Sequence, residues 1–189
     1  MSRPICPVCK KHQLVPPSGP SNSSVLLIGE YPGWEEIKQG VPWIGQAGKV
    51  LDQELERAGL PRDGCRVTNL WLHAPPPKPK FVEPKTTAAK ERRLALVRAY
   101  EPEFRFHLDQ VHKELRGRRA VLLMGSDVTE ALLGVSVNSV AGCFVKLKGV
   151  EVAVAMMNPA IVFRPGPEGK LGETRLAIRR FVEAVNGLD

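Results

Sequence analysis

"LLIGEYPGWEE", residues 26–36, decides how this chain is read. Val25 to Ile28 are four apolar residues in a row, and they run straight into Gly29-Glu30-Tyr31-Pro32-Gly33. A short apolar run with no polar alternation is the pattern of a buried strand. Gly and Pro then stop it in a tight turn. That turn carries one carboxylate and one aromatic ring, so it is either a plain strand stop or the floor of a site.

Working outward, residues 46–59 read as a helix. Val50, Leu51, Leu55 and Ala58 share one face, and Gly59 follows as a stop. Arg66 to Leu72 reads as a second strand. "APPPKPKFVEPK", residues 74–85, is a loop, because that density of Pro forbids ladder hydrogen bonds. Residues 86–115 are mostly helical, with a break expected near Pro102. Ala120 to Met124 is a third strand ending at Gly125, and residues 127–133 form a short helix. Phe144 to Leu147 and Val150 to Ala155 suggest a hairpin or edge strand followed by a fourth core strand. Residues 171–185 close the chain as a helix with Leu171, Ile178, Phe181, Val182 and Val185 on its apolar face. Residues 1–23, with "CPVC" near the start, read as an irregular arm. There is no internal repeat, and 189 residues suit one domain.

Strands alternating with helices imply a mainly parallel sheet covered on both faces. Ligands bind such sheets beyond the carboxyl ends of the strands. The chemistry is therefore expected at Glu30 to Gly33, Asn69 to His73, Gly125-Ser126 and Asn158-Pro159-Ala160.

Composition narrows the class. The chain is 43% hydrophobic and 25% charged, enough for a real core. No run of about 18 apolar residues marks a membrane span. The first residues lack an apolar signal core, so a cytoplasmic protein without a membrane partner is expected. Four cysteines in such a chain read as metal ligands or free thiols rather than disulfides. The net charge of +7 suits a polyanionic partner, or a merely basic enzyme. Much of the excess lies in Lys78, Lys80, Lys85, Lys90, Arg92 and Arg93, and in Arg116, Arg118 and Arg119. The first group could track a phosphate backbone or stand solvated in its loop.

Taken in order, the strand ends share a pattern. The chain reads Gly29-Glu30-Tyr31-Pro32-Gly33, then "GVPWIGQAGKVLDQEL" (residues 40–55), "VTNLWLHAPP" (67–76) and "MNPAIVFRPG" (157–166). This order resembles the uracil-DNA glycosylase superfamily, and within it family 4. That family has a Gly-Glu-Ala-Pro-Gly turn, a Gly-x-Pro-Phe-x-Gly-x-Ala-Gly loop, a Thr-Asn strand entering a Pro-rich loop, and a late His-Pro-Ser motif followed by Arg. The resemblance spans roughly residues 6–182. It implies a three-layer α/β/α sandwich around a mainly parallel four-stranded sheet, forming one DNA glycosylase domain. It also implies a monomer acting on single- or double-stranded DNA.

A glycosylase must draw a base out of the stack into a pocket, then stabilise a cationic sugar and a departing base anion. On the resemblance, Glu30 is the acid near the sugar, and Asn158 takes the late-motif position. Trp43 stands where the family stacks a Phe on the base. Asn69 can read a pyrimidine edge, with Tyr31 and Gly33 beside it. Gly45, Gly48, Gly125 and Ser126 would offer amides to phosphate. Ile161, Val162 and Phe163 would wedge into the duplex, with Arg164 on phosphate. Each residue alone has a plainer reading. The glycines suit turns, Trp43 suits a core, Asn69 suits a strand end, and the apolar triplet could pack inside.

Two departures stand out. The late motif is Asn158-Pro159-Ala160, and Asn cannot become cationic as the family His can. An Asn-Pro-Ser version marks the thymine/mismatch branch. In the uracil-restricted branch a Tyr at the Gly33 position blocks substituents on pyrimidine C5, so Gly33 leaves room there. Monofunctional excision of uracil or of a 5-substituted pyrimidine is implied, and the alternative is a DNA-binding member with little or no excision. A nucleotide-binding enzyme is disfavoured, because no Gly-x-x-x-x-Gly-Lys-Ser/Thr element is present. The second departure concerns metal. Family 4 binds a four-iron, four-sulfur cluster through four cysteines. Cys6 and Cys9 match the first pair, the third position is His73, and the fourth falls between Tyr100 and His107, where there is no Cys. Cys65 and Cys143 lie elsewhere. Cys6, Cys9, His73 and His107 would make a tetrahedral zinc set, with His12 and His112 competing, a cubane cluster as the alternative, and a lost site with spare thiols also open.

Overall fold

The structure is a computed structural model that describes residues 3–78, 86–163 and 170–188, without the side chains of Lys90, Arg92 and Arg93. Four strands run parallel: β1 (Val25–Gly29), β2 (Arg66–Asn69), β3 (Ala120–Met124) and β5 (Val152–Met156). A two-residue strand, β4 (Cys143–Phe144), adds antiparallel to β5, and the order across the sheet is β2-β1-β3-β5-β4. The connection from β1 runs out to one side, and the chain then returns past β1 to place β3 on the other. The gap between β1 and β3 is thus the switch point, where a parallel sheet opens a crevice at its carboxyl edge.

Alternation along the strands feeds two cores. Val25, Leu27, Ala120, Leu122, Met124, Val154 and Met156 pack with α2 (Gln46–Ala58) and α6 (Lys170–Asn186) on one face. Leu26, Ile28, Val121, Leu123 and Ala155 pack on the other against α3 (Thr87–Leu115) and α4 (Ser126–Leu133). The expected α/β/α sandwich is what forms. Two short helices went unforeseen, α1 (Trp34–Gln39) and α5 (Val137–Val140). Neither is long enough to show an apolar stripe. Among the described residues no helix is long and apolar enough to cross a membrane.

Several boundaries differ from expectation for identifiable reasons. Strand β2 stops at Asn69 rather than Leu72, because its partner β1 turns away after Gly29. The Leu70 and Trp71 N–H groups still reach the Gly29 and Glu30 carbonyls, at 2.7 and 2.8 Å. Helix α3 runs unbroken through Pro102. Proline inside a helix costs about 3 kcal/mol, but Tyr100, Phe104 and His107 flank it on one face and close around the buried Trp71 ring. Leu171 on α6 is exposed, so the buried face of that helix begins at Thr174. Residues 79–85 of the Pro-rich loop lie outside the described residues.

The N-terminal arm is anchored rather than loose. Ser18 pairs with Val67 through both backbone bonds, and the Val15 N–H donates to the Leu72 carbonyl. The arm therefore lies along the outer edge of β2.

Three of the basic groups among the described residues are structural. Lys78 pairs with Asp127 and Glu130 on α4. Arg118 is buried and binds the Ser23 carbonyl and Glu114, and Arg119 pairs with Glu151. Arg116 is exposed. Lys80 and Lys85 lie outside the described residues.

One ion pair, buried at its acid and exposed at its arginine, joins the two helices of the first layer. Glu54 on α2 is 3% exposed and accepts from Arg175 on α6 at 2.8 Å and from Arg57 at 2.5 Å. Its hydrogen bond with Arg175 holds the carboxyl below its ordinary value near 4.5. A depressed acid stabilises the fold fully above that value, and the contribution is lost as pH falls through the folded pKa. Glu54→Gln is expected to cost about 1–3 kcal/mol at pH 7. The difference from wild type should shrink below about pH 4, and urea denaturation at both pH values checks it.

Candidate active site and metal centre

The crevice at the switch point holds a cavity of about 480 Å³. Glu30, Tyr31, Gly33, Trp43, Asn69, Ser126, Asn158 and Ile161 all border it, so the four strand ends do converge. Glu30 follows β1 directly and is half-buried. One carboxylate oxygen accepts from the Asp127 N–H at the start of α4 (3.0 Å), and the other accepts from Asn158 Nδ2 (2.9 Å). Asn158 is itself pinned, since its Oδ1 accepts from the Ala160 N–H at 2.9 Å. Its amide is thereby oriented with nitrogen toward Glu30, leaving one N–H free for the cavity.

Gly125 makes this arrangement possible. Its φ is +120°, and a Cβ there would lie 2.3 Å from Glu30 Cδ. Its N–H is spent on the Met156 carbonyl. Gly125 therefore clears space for the acid instead of offering an amide to phosphate. Gly45 departs from expectation in the same way, because its N–H donates to Glu36 Oε1 at 3.0 Å. Gly48 is buried, and a Cβ on it would sit 1.9 Å from the Trp43 carbonyl, so close packing is its role.

Trp43 is both core and wall. It is 5% exposed and packs in the first core, yet it borders the cavity. Its backbone is left-handed at φ +61°, a strained state for a bulky residue. Arg62 holds it there by donating to the Trp43 carbonyl at 2.6 Å. Gly29 lets the indole approach Asn69: a Cβ there would meet Trp43 at 2.2 Å and Asn69 Oδ1 at 2.5 Å. Asn69 is buried at the end of β2. Its side-chain amide bonds to no described residue and is left for the cavity.

Tyr31 is half-exposed and lines the cavity wall. The space left by Gly33 is bounded on its inner side by Glu36, whose Oε2 would lie 2.6 Å from a Cβ at that position. Sequence reading missed Glu36, together with Trp34 and Glu35 on the same short helix. The signal was present as two adjacent acids just after the turn, but nothing marked α1 as a helix. Of the expected wedge, Ile161 borders the cavity, Val162 is partly buried, and Phe163 is about half exposed in a 3₁₀ turn, Pro159–Phe163. Arg164 lies outside the described residues.

A second cluster sits where the arm meets α3. Cys6, His73, Glu103 and His107 are all buried, and one ligand atom from each falls within 4.8 Å of the others. Cys9 Sγ lies 3.9 Å from His73 Nε2. His73 Nδ1 donates to the Ala74 carbonyl at 2.8 Å, so its Nε2 faces the cluster as an acceptor, 3.0 Å from His107 Nε2. Glu103 Oε1 stands 3.0 Å from the same His73 nitrogen, without a hydrogen bond and sealed from solvent. Two electron-pair donors facing each other in a buried site is the arrangement a cation would resolve. Burial, and then His73, push the His107 imidazole down to about 3. His12 stacks on His73 at 5.0 Å, and His112 is exposed on α3. Cys65 is a core thiol, pushed up to about 11 by burial, and Cys143 is exposed on β4. Only two thiols reach the centre. Iron–sulfur clusters are ordinarily held by four thiolates, and here a carboxylate and two imidazoles stand beside the two thiols.

Residues 16–178 match the model of the uracil DNA glycosylase superfamily. The type-4 uracil-DNA glycosylase of Archaeoglobus fulgidus is 35% identical over 86 residues, covering 41% of this chain and 43% of that protein. The type-4 enzyme of Sulfurisphaera tokodaii is 40% identical over 76 residues, 38% of this chain and 34% of its own length. That of Thermotoga maritima is 31% identical over 88 residues, 44% and 45% of the two chains. Each match spans less than half of the relative's length. With the family match running from the arm to the closing helix, this chain belongs to the uracil DNA glycosylase superfamily.

Proposed function

We propose that the chain is a monofunctional DNA glycosylase. It flips a uracil or a 5-substituted pyrimidine into the crevice and hydrolyses the bond from C1′ to the base. The observation that carries this reading is the Glu30 carboxylate, held by the Asp127 N–H and Asn158 at the mouth of a cavity that ends on the uncommitted Asn69 amide. Asn69 pairs with the pyrimidine edge and Trp43 covers its face. As the C1′–N bond breaks, its electron pair leaves with the base. Glu30 stabilises the cationic sugar and takes a proton from the water whose oxygen joins C1′, and the base anion is protonated on release. The free Asn158 N–H supports the charge growing on the base. Among the described residues no lysine lines the cavity, which supports hydrolysis by water over a Schiff base.

The Gly33 side bears on the choice of base. It lacks the blocking ring, and the Glu36 carboxylate stands where a side chain would go, so an acceptor faces that side of the cavity and suits a C5 substituent that can donate a hydrogen bond. Ser126 and the Ile161 to Phe163 turn face the DNA, acting as a monomer in the cytoplasm. A structural metal, zinc in preference to an iron–sulfur cluster, joins the arm to the domain. The alternative is a member that binds a base with little excision. It draws on Asn158 spending one of its two N–H groups on Glu30.

The test is mass analysis of bases freed from duplexes carrying uracil or 5-substituted pyrimidines. Release of one of them, reduced at least ~100-fold by Glu30→Gln, is the expected result. Binding without a freed base supports the alternative. A second expectation concerns the late motif. Asn158→His restores a side chain that can become cationic, and it should speed uracil release roughly 10-fold or more, measured under single-turnover conditions.

A further inference from the structure

We propose that the cluster holds one divalent ion through Cys6, Cys9, His73 and Glu103, and that His107 serves it as a hydrogen-bond donor rather than as a ligand. This rests on the metal reading above and changes its ligand set.

The direction of two hydrogen bonds separates the histidines. His107 Nδ1 lies 3.3 Å from the Leu72 N–H, which can only donate, so Nδ1 must accept. The neutral ring then carries its proton on Nε2, the atom that faces the cluster. That nitrogen has no lone pair to give a metal; its N–H lies among the donor atoms, 3.0 Å from His73 Nε2, and turns to the thiolates and the carboxylate when the His73 lone pair goes to the ion. His73 is the opposite case. Its Nδ1 donates to a carbonyl, the usual outer support of a metal-bound imidazole, and its Nε2 keeps its lone pair. The fourth position falls to Glu103, whose Oε1 is buried and without a hydrogen bond. It sits 3.0 Å from His73 Nε2, within the spread of about 3–4 Å between ligands that tetrahedral bonds of 2.0–2.3 Å require.

The arm supplies the other two ligands through a knuckle. The Lys10 N–H closes the turn onto the Cys6 carbonyl at 2.9 Å, and Lys10 takes a left-handed φ of +56°. That turn folds the chain back and brings Cys9 Sγ to 3.9 Å from His73 Nε2, with the backbone N–H groups of Lys11 and His12 next after it in the chain. Two thiolates and a carboxylate around a divalent ion leave one surplus negative charge. The amides and the His107 N–H are the donors that answer it.

The experiment measures metal content of the full chain by plasma mass spectrometry, with X-ray absorption at the metal edge. Unaltered protein should hold one zinc with two sulfurs and a single imidazole in its shell. Glu103→Gln should lose at least ~10-fold in zinc affinity, while His107→Gln, which keeps a donor, should retain one ion. Zinc bound through two imidazoles, or retained by Glu103→Gln and lost by His107→Gln, overturns this ligand set but leaves the zinc reading standing. Iron with acid-labile sulfide, or no metal, overturns both. The absorption measurement needs no variant, so a Glu103→Gln protein that fails to fold does not remove the test.

Discussion

The carboxylate of Glu30 is the point on which the crevice depends. It leaves β1, reaches across the end of β3 and is met from the far side by the residue that follows β5. Each of its two hydrogen bonds comes from a different connecting segment. Bonds to a charged acceptor contribute about 1.5–3 kcal/mol each, so three strand ends are tied through one side chain. The tie has a strict geometric condition. Position 125 must carry no Cβ and must adopt a backbone angle that other residues avoid. The acid proposed to act on a sugar is at the same time a clasp for the sheet's carboxyl edge.

A second device shapes the floor. Trp43 is bent into a left-handed backbone, its carbonyl caught by Arg62 and abutted by Gly48, and its indole laid against Gly29. Gly29 and Gly125 each give up a side chain so that a larger one can occupy the space, and Gly48 does so for the Trp43 backbone carbonyl. The strain at Trp43, of order 1–3 kcal/mol, is sustained by burial of the ring in the first core.

The sheet was legible because its strands are nearly pure apolar runs, and the ends of four such runs named most of the cavity wall. What the sequence could not show was which donors were already taken. Gly45, Gly125 and Lys78 look available in a string of letters, but Glu36, Met156 and two α4 carboxylates occupy them. Helix α3 illustrates a second limit. Pro102 argues for a break locally, whereas Tyr100, Phe104 and His107 on either side of it close around Trp71, a ring from a distant segment, and that packing outweighs it. Glu103 was hidden for the same reason, since only folding brings a helix acid beside the Cys-x-x-Cys arm.

The arm itself has a wider consequence. Strand β2 is the sheet's outermost long strand, and a bare strand edge offers a row of unpaired N–H and C=O groups to any other chain. Ser18 and Val15 already occupy part of that row. The opposite margin is only the two residues of β4, too short to template much. Anything that frees the first residues therefore does more than loosen a terminus. It exposes a parallel sheet along one flank, turning a local release into a route to self-association.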